Sequence, residues 1–153
     1  MAERLSADEA VKSLTRAVRQ RATAEAVLVE AMHAADRAGV ARNEICRQVK
    51  DAYSRQKALD LLNASVLLDR AVEALAARGF RIGERQGQVV VERRRSRVML
   101  RVLGADGGDS ALRRALEAQR ALAGAGLALH AGGSPAEELA RGATAEVRDC
   151  ETR

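Results

Sequence analysis

At Gly79 the hydrophobic period of this chain changes, from apolar residues every three or four positions to apolar residues at every second position. A pattern of period 3.6 buries one face as a helix and a pattern of period two buries one face as a strand, and neither serves the other geometry. The fold class expected is α+β: a helical domain over residues 1–79 followed by a mixed α/β domain over 80–153, the latter a β-meander with a small helical and strand region after it.

In the helical part, Ser6-Ala7-Asp8-Glu9 has the spacing of a capping box, which predicts a helix start near Ala7. Leu14 and Val18 begin an apolar stripe that lapses at Arg19-Gln20-Arg21 and returns at Ala24, Val27, Leu28, Ala31, Met32 and Ala35. Thr23 can mark a break, giving two helices rather than one up to residue 38; a short first helix needs something to pack on, a second copy of the chain being one candidate. Ser54 to Arg78 reads as one helix with two stripes, Leu59-Leu62-Val66 and Leu61-Leu68-Val72-Leu75, or as two helices with a fresh start near Asn63-Ala64-Ser65. Gly79 closes it at the C′ position.

Beyond Gly79 the alternation predicts strands at Phe80–Ile82, Gln88–Glu92 and Val98–Leu103, turned at Gly83–Gly87 and at Arg93–Ser96. Gly104–Asp109 reads as a loop, Asp109 or Ser110 as the cap of a helix to about Ala123, and Leu127–His130 as a strand. Pro135 suits the first turn of a short helix ending near Gly142, and Ala145–Arg148 suits a last strand.

Between Ala38 and Leu62 the chain reads AGVARNEICRQVKDAYSRQKALDLL, a glycine-bounded turn, a short amphipathic helix carrying Ile45 and Val49, a polar turn, and a second helix opening Ser54-Arg55-Gln56-Lys57. About a sixth of the chain thus resembles the helix-turn-helix of bacterial transcription regulators, in Gly39, Asn43-Glu44-Ile45-Cys46-Arg47 and Ser54-Arg55-Gln56. The resemblance implies double-stranded DNA as partner, with Ser54, Arg55, Gln56 and Lys57 facing base edges and Arg42, Asn43, Arg47 and Lys50 near phosphates. It also implies a homodimer on two half-sites about one helical turn apart, because one reading head supplies few base contacts. The bland reading is a helical hairpin whose charges are merely solvated.

The Arg93-Arg94-Arg95-Ser96-Arg97 segment is the second basic feature, and it resembles the phosphate-gripping hairpin of winged helix-turn-helix proteins. That likeness opens a rival register in which residues 65–78 are the recognition helix and Arg70 touches DNA; the first register is preferred because its opening turn carries more hydrogen-bond donors. A solvated turn that keeps a sheet edge from aggregating explains the arginines equally well.

Net charge is +5, and residues 80–101 hold seven Arg against two Glu, so a patch rather than the whole protein is basic. Of the 26 basic residues 23 are Arg in an alanine-rich chain, which a GC-rich coding background produces without any selection for guanidinium chemistry. With Tyr53 and Phe80 as the only aromatics, single-strand binding by base stacking has almost no platform. Cys46 and Cys150 have no metal-ligand spacing and read as free thiols, no cofactor motif is present, and no apolar run approaches the length of a membrane span, so the cytoplasm is expected.

An enzyme is the least favoured class. Glu92 ends a valine-rich strand as a restriction-type nuclease would require, yet Met99, Leu100 and Arg101 stand where its further carboxylate and lysine belong. Neither His33 nor His130 has a nucleophile and orienting carboxylate at a recognisable spacing, and Gly104–Ser110 lacks the Gly-Lys-Ser/Thr of a phosphate loop. The order of expectation is a DNA-binding regulator, then a helical protein-protein adaptor, then an unusual enzyme.

Overall fold

The computed structural model describes residues 6–84 and 88–150. The chain forms two compact units, one ending at Arg55 and the other beginning at Gln56.

The first unit is built on α1 (Ala7–Arg37) and α2 (Arg42–Gln48). At the start of α1, Ser6 Oγ accepts from the Glu9 amide and the Glu9 carboxylate accepts from the Ser6 amide, so both halves of the capping box are closed. The helix runs through Thr23 without a break; the Thr23 hydroxyl donates back to the Arg19 carbonyl at 3.1 Å instead of capping a new start. It ends in a Schellman motif, the Val40 amide donating to Ala35 and the Gly39 amide to Asp36, with Gly39 at φ 83 supplying the left-handed residue. Asp36 then takes a forked pair of hydrogen bonds from Arg42, at 3.0 and 2.9 Å, which fixes the end of α1 to the start of α2. Val29, Met32 and His33 of α1 and Ile45 and Cys46 of α2 are buried, while every residue from Ser6 to Val27 is exposed.

The second unit opens with α3 (Arg55–Ala77), whose first residue belongs to the first unit. It is a single helix: Ser65, read from sequence as a possible fresh start, is buried in mid-helix and donates to the Leu61 carbonyl. Gly79 at φ 79 ends it in a second Schellman motif, with the Phe80 amide on Leu75 and the Gly79 amide on Ala76. Val66, placed on a buried stripe by its spacing, is 38% exposed, and Ala64, Ala71 and Leu75 form the inward face instead.

The sheet comprises β1 (Val89–Arg94), β2 (Arg97–Val102), β3 (Leu127–His130) and β4 (Thr144–Asp149), in the order β1-β2-β4-β3 with every neighbouring pair antiparallel. This corrects the three-stranded meander. Phe80–Ile82 contributes only an isolated bridge from Ile82 to Val89, and the third place in the sheet is taken by β4, the last strand of the chain. The turn assigned to Gly83–Gly87 lies partly outside the described residues. The second turn is tighter than the sequence suggests: Arg93 and Arg94 belong to β1, and Arg95-Ser96 alone joins the strands.

Between β2 and β3 runs α4 (Asp109–Gly124), and between β3 and β4 the short α5 (Pro135–Ala140). The N-cap of α4 is Gly108, not Asp109 or Ser110, and Asp106 accepts from the Gly108 amide. Val98, Leu100 and Val102 alternate inward along β2, opposite Val147 and Ala145 of β4 and Val89 of β1, and pack in one cluster with Ala64, Ala71 and Leu75 of α3, Ala115, Ala118 and Leu122 of α4 and Leu139 of α5. Three helices thus share one face of the sheet. α3, grouped by sequence with the helices before it, belongs instead with the sheet because its Ala64-Ala71-Leu75 edge completes this core.

Candidate nucleic-acid interface

The residues singled out from sequence fall into two sets. In the α2 region, Arg42 is taken up by Asp36, and Arg47 lies 2.6 Å from Glu44, an exposed contact of little energetic weight. Asn43 Oδ1 accepts from Arg55 at 3.0 Å, which brings two of the expected DNA contacts together and holds the first guanidinium of α3 in place. Lys50 is exposed in the turn that follows α2, next to buried Val49 and three residues before buried Tyr53.

Ser54, Arg55, Gln56 and Lys57 are all exposed. They surround the N-terminus of α3, where the unpaired backbone amides and the helix dipole favour an anion, and they add two positive charges there. Gln56 donates to Asp60 at 2.8 Å across one exposed turn, a contact that a base edge could displace.

The hairpin arginines do not act as one tip. Arg93 pairs with Val98 across the ladder, so its side chain leaves the sheet on the core face, where Nη1 donates to the Ser65 hydroxyl of α3 at 2.9 Å. This contact pins the end of β1 to α3 about 12 Å along the helix axis from its first turn. Arg94 bonds Glu92 at 2.6 Å, and Arg97 lies 3.8 Å from Glu146. Arg95 is exposed, with φ 58, the only positive-φ residue other than glycine among the described residues. A side chain in that conformation costs about 1 kcal/mol or more, and here it places a guanidinium at the outermost point of the hairpin. Arg70, the contact demanded by the rival register, is hydrogen-bonded to Asp149 and donates to the Ala125 carbonyl at 3.0 Å, so it ties α3 to the edge of the sheet.

Further charges gather on the outward sheet face, with Glu146 and Arg148 absent from the sequence reading. Glu146 accepts from Arg148 at 2.7 Å, and that hydrogen bond, with the charges of Arg148, Arg97 and His130, holds its carboxyl below the ordinary glutamate range against the opposing effect of burial. Arg101, opposite Thr144, is on the same face. Elsewhere Arg78, Arg113 and Arg114 line an open groove of about 220 Å³ with Phe80 and Ser110. The alternation of Arg97, Met99 and Arg101 along β2 already carried the first of these signals; the groove depends on a meeting of α3 and α4 that no local pattern encodes.

Cys46 is buried and Cys150 exposed, and neither forms a disulfide. Among the described residues no group of three or more His, Cys, Asp and Glu side chains is placed to hold a metal, and no helix is long and apolar enough to cross a membrane. The chain matches no protein-family model, no curated protein and no solved structure.

Proposed function

We propose that this protein binds double-stranded DNA in a sequence-specific manner and acts as a dimeric transcriptional regulator in the cytoplasm. The observation that carries the reading is the exposed opening of α3, where Ser54, Arg55, Gln56 and Lys57 present a dense set of donors at a helix N-terminus. Arg55 offers paired donors for guanine, Gln56 a donor and acceptor for adenine, and Lys57 a charge for a phosphate or a base. Arg42, Asn43, Arg47 and Lys50 are assigned to the backbone, where contacts fix register without reading sequence. The Arg93–Ser65 bond supports a second contact, since it holds the hairpin beside the same helix and leaves Arg95 outermost.

The exposed apolar side chains Val11, Leu14 and Val18 favour a second reading, a helical adaptor that works through protein contacts. The two separate in one experiment: fluorescence anisotropy with a pool of genomic duplexes across a salt series, followed by sequencing of the retained fraction. Enrichment of a palindromic site supports the regulator. Absence of retention even at low salt overturns it in favour of the adaptor. Arg55→Ala and Gln56→Ala lower specific binding more than non-specific binding, whereas Arg95→Ala lowers both; equal losses in all three refute this division of roles.

A further inference from the structure

From Ser6 to Val27 every residue is exposed, along about 30 Å of chain that is helical from Ala7. Its surface is nonetheless patterned. Val11, Leu14 and Val18 are 62, 66 and 59% exposed and lie at helical spacing, and the row continues through Ala22 and Glu25 to Val29 and Met32, which are buried. The face that packs within the first unit is therefore the same face that is bare toward the N-terminus. A free helix of this composition is marginal in water, and a bare stripe of large aliphatics adds to the cost.

We infer that this stripe is the seat of a second copy of the chain, paired antiparallel through the N-terminal half of α1, with Val11 against Leu14 of the partner subunit and Ala7 against Val18 of the partner subunit. The charges flanking the stripe select both occupant and direction. Asp8 and Arg19 are eleven residues apart, which places them within about 20° of each other around the helix, on one flank of the stripe. A two-fold axis between antiparallel helices brings like flanks together, and in the register that pairs Val11 with Leu14 it sets Asp8 within about one turn of the opposing Arg19, twice per dimer. A parallel pair offers neither bond, because Asp8 would meet the alanine flank of Ala10 and Ala17. The two Asp8–Arg19 pairs are related by the two-fold axis, as an isologous contact requires.

This inference supplies the dimer of the proposed regulator with its contact, and it is tested without DNA, so that a failure of DNA recognition leaves it standing. The test is sedimentation equilibrium of the full chain across a concentration series, with circular dichroism to verify that each variant is folded. Wild type is expected to dimerise and Leu14→Glu to be monomeric at the same concentrations. Asp8→Arg and Arg19→Asp alone should each weaken the dimer by about fivefold to tenfold, and the double variant, which restores both pairs with their signs exchanged, should return to within about twofold of wild type. A wild-type monomer, a dimer unaffected by Leu14→Glu, or a double variant no better than the single ones would each overturn the assignment.

Discussion

Arg95 is where the proposed DNA contact and the stability of the fold would pull apart. Its φ of 58 suits glycine or asparagine, and a hairpin turn of Arg95 and Ser96 would close more cheaply with either. Arg95→Gly is expected to raise stability by about 0.5–1 kcal/mol in urea unfolding while weakening DNA binding, a combination that a merely solvated turn would not produce. Glu146 makes the complementary case for a charge with a structural task. Its carboxyl is held low by Arg148, Arg97 and His130, so the folded state keeps it ionised where the unfolded chain begins to take up a proton. The associated stability is present above the unfolded carboxyl pKa and is lost as the pH falls through the lower, folded value. Glu146→Gln should therefore be less stable than wild type near neutral pH, with the difference shrinking as both are titrated below about pH 4. Urea midpoints at several pH values measure it, and a difference that stays constant with pH would show that Glu146 contributes through shape rather than charge.

At the scale of the element, what the sequence reveals is what neighbours in sequence decide. Both Schellman ends and the capping box follow from Gly39, Gly79, Ser6 and Glu9 within a few residues of their partners, and each is found where its spacing indicates. The alternation of β2 is equally local, and its inward set of Val98, Leu100 and Val102 is the buried one. The place of β4 between β2 and β3 is a different kind of fact, since it depends on α4 and α5 returning the chain to a particular edge. The destination of Arg93 is another. Four arginines in five residues look alike in sequence, and only the pairing with Val98 and the presence of Ser65, 28 residues earlier, turn one of them inward. Val66 and Leu75 are separated in the same way: both fit a helical stripe, but the sheet packs on only one of them. Leu75→Ala is expected to cost about 2–5 kcal/mol and Val66→Ala less than about 0.5, read as shifts in the denaturation midpoint at constant slope.

For the molecule as a whole, the proposed function turns on how its charges would act together on one polyanion. A net charge of +5 is modest, and Arg42, Arg70, Arg94, Arg114 and Arg148 already hold a carboxylate or a carbonyl. On the proposed reading, the cations that meet the duplex are Arg55 and Lys57 at the opening of α3 and Arg95 at the hairpin, all of them exposed. Each phosphate neutralised releases counterions, so each such residue has a signature apart from its effect on affinity: it lowers the slope of log K against log salt by about 0.9. Lys57→Gln and Arg95→Gly are expected to reduce that slope by about one each, and the double variant by about two, because α3 and the hairpin pinned to it by Arg93 and Ser65 would contact the same duplex. Arg70→Gln, which removes a cation engaged with Asp149, should leave the slope unchanged while lowering stability. If Arg70 moved the slope and Lys57 did not, the reading face would lie at the far half of α3, and the winged register would replace the one proposed.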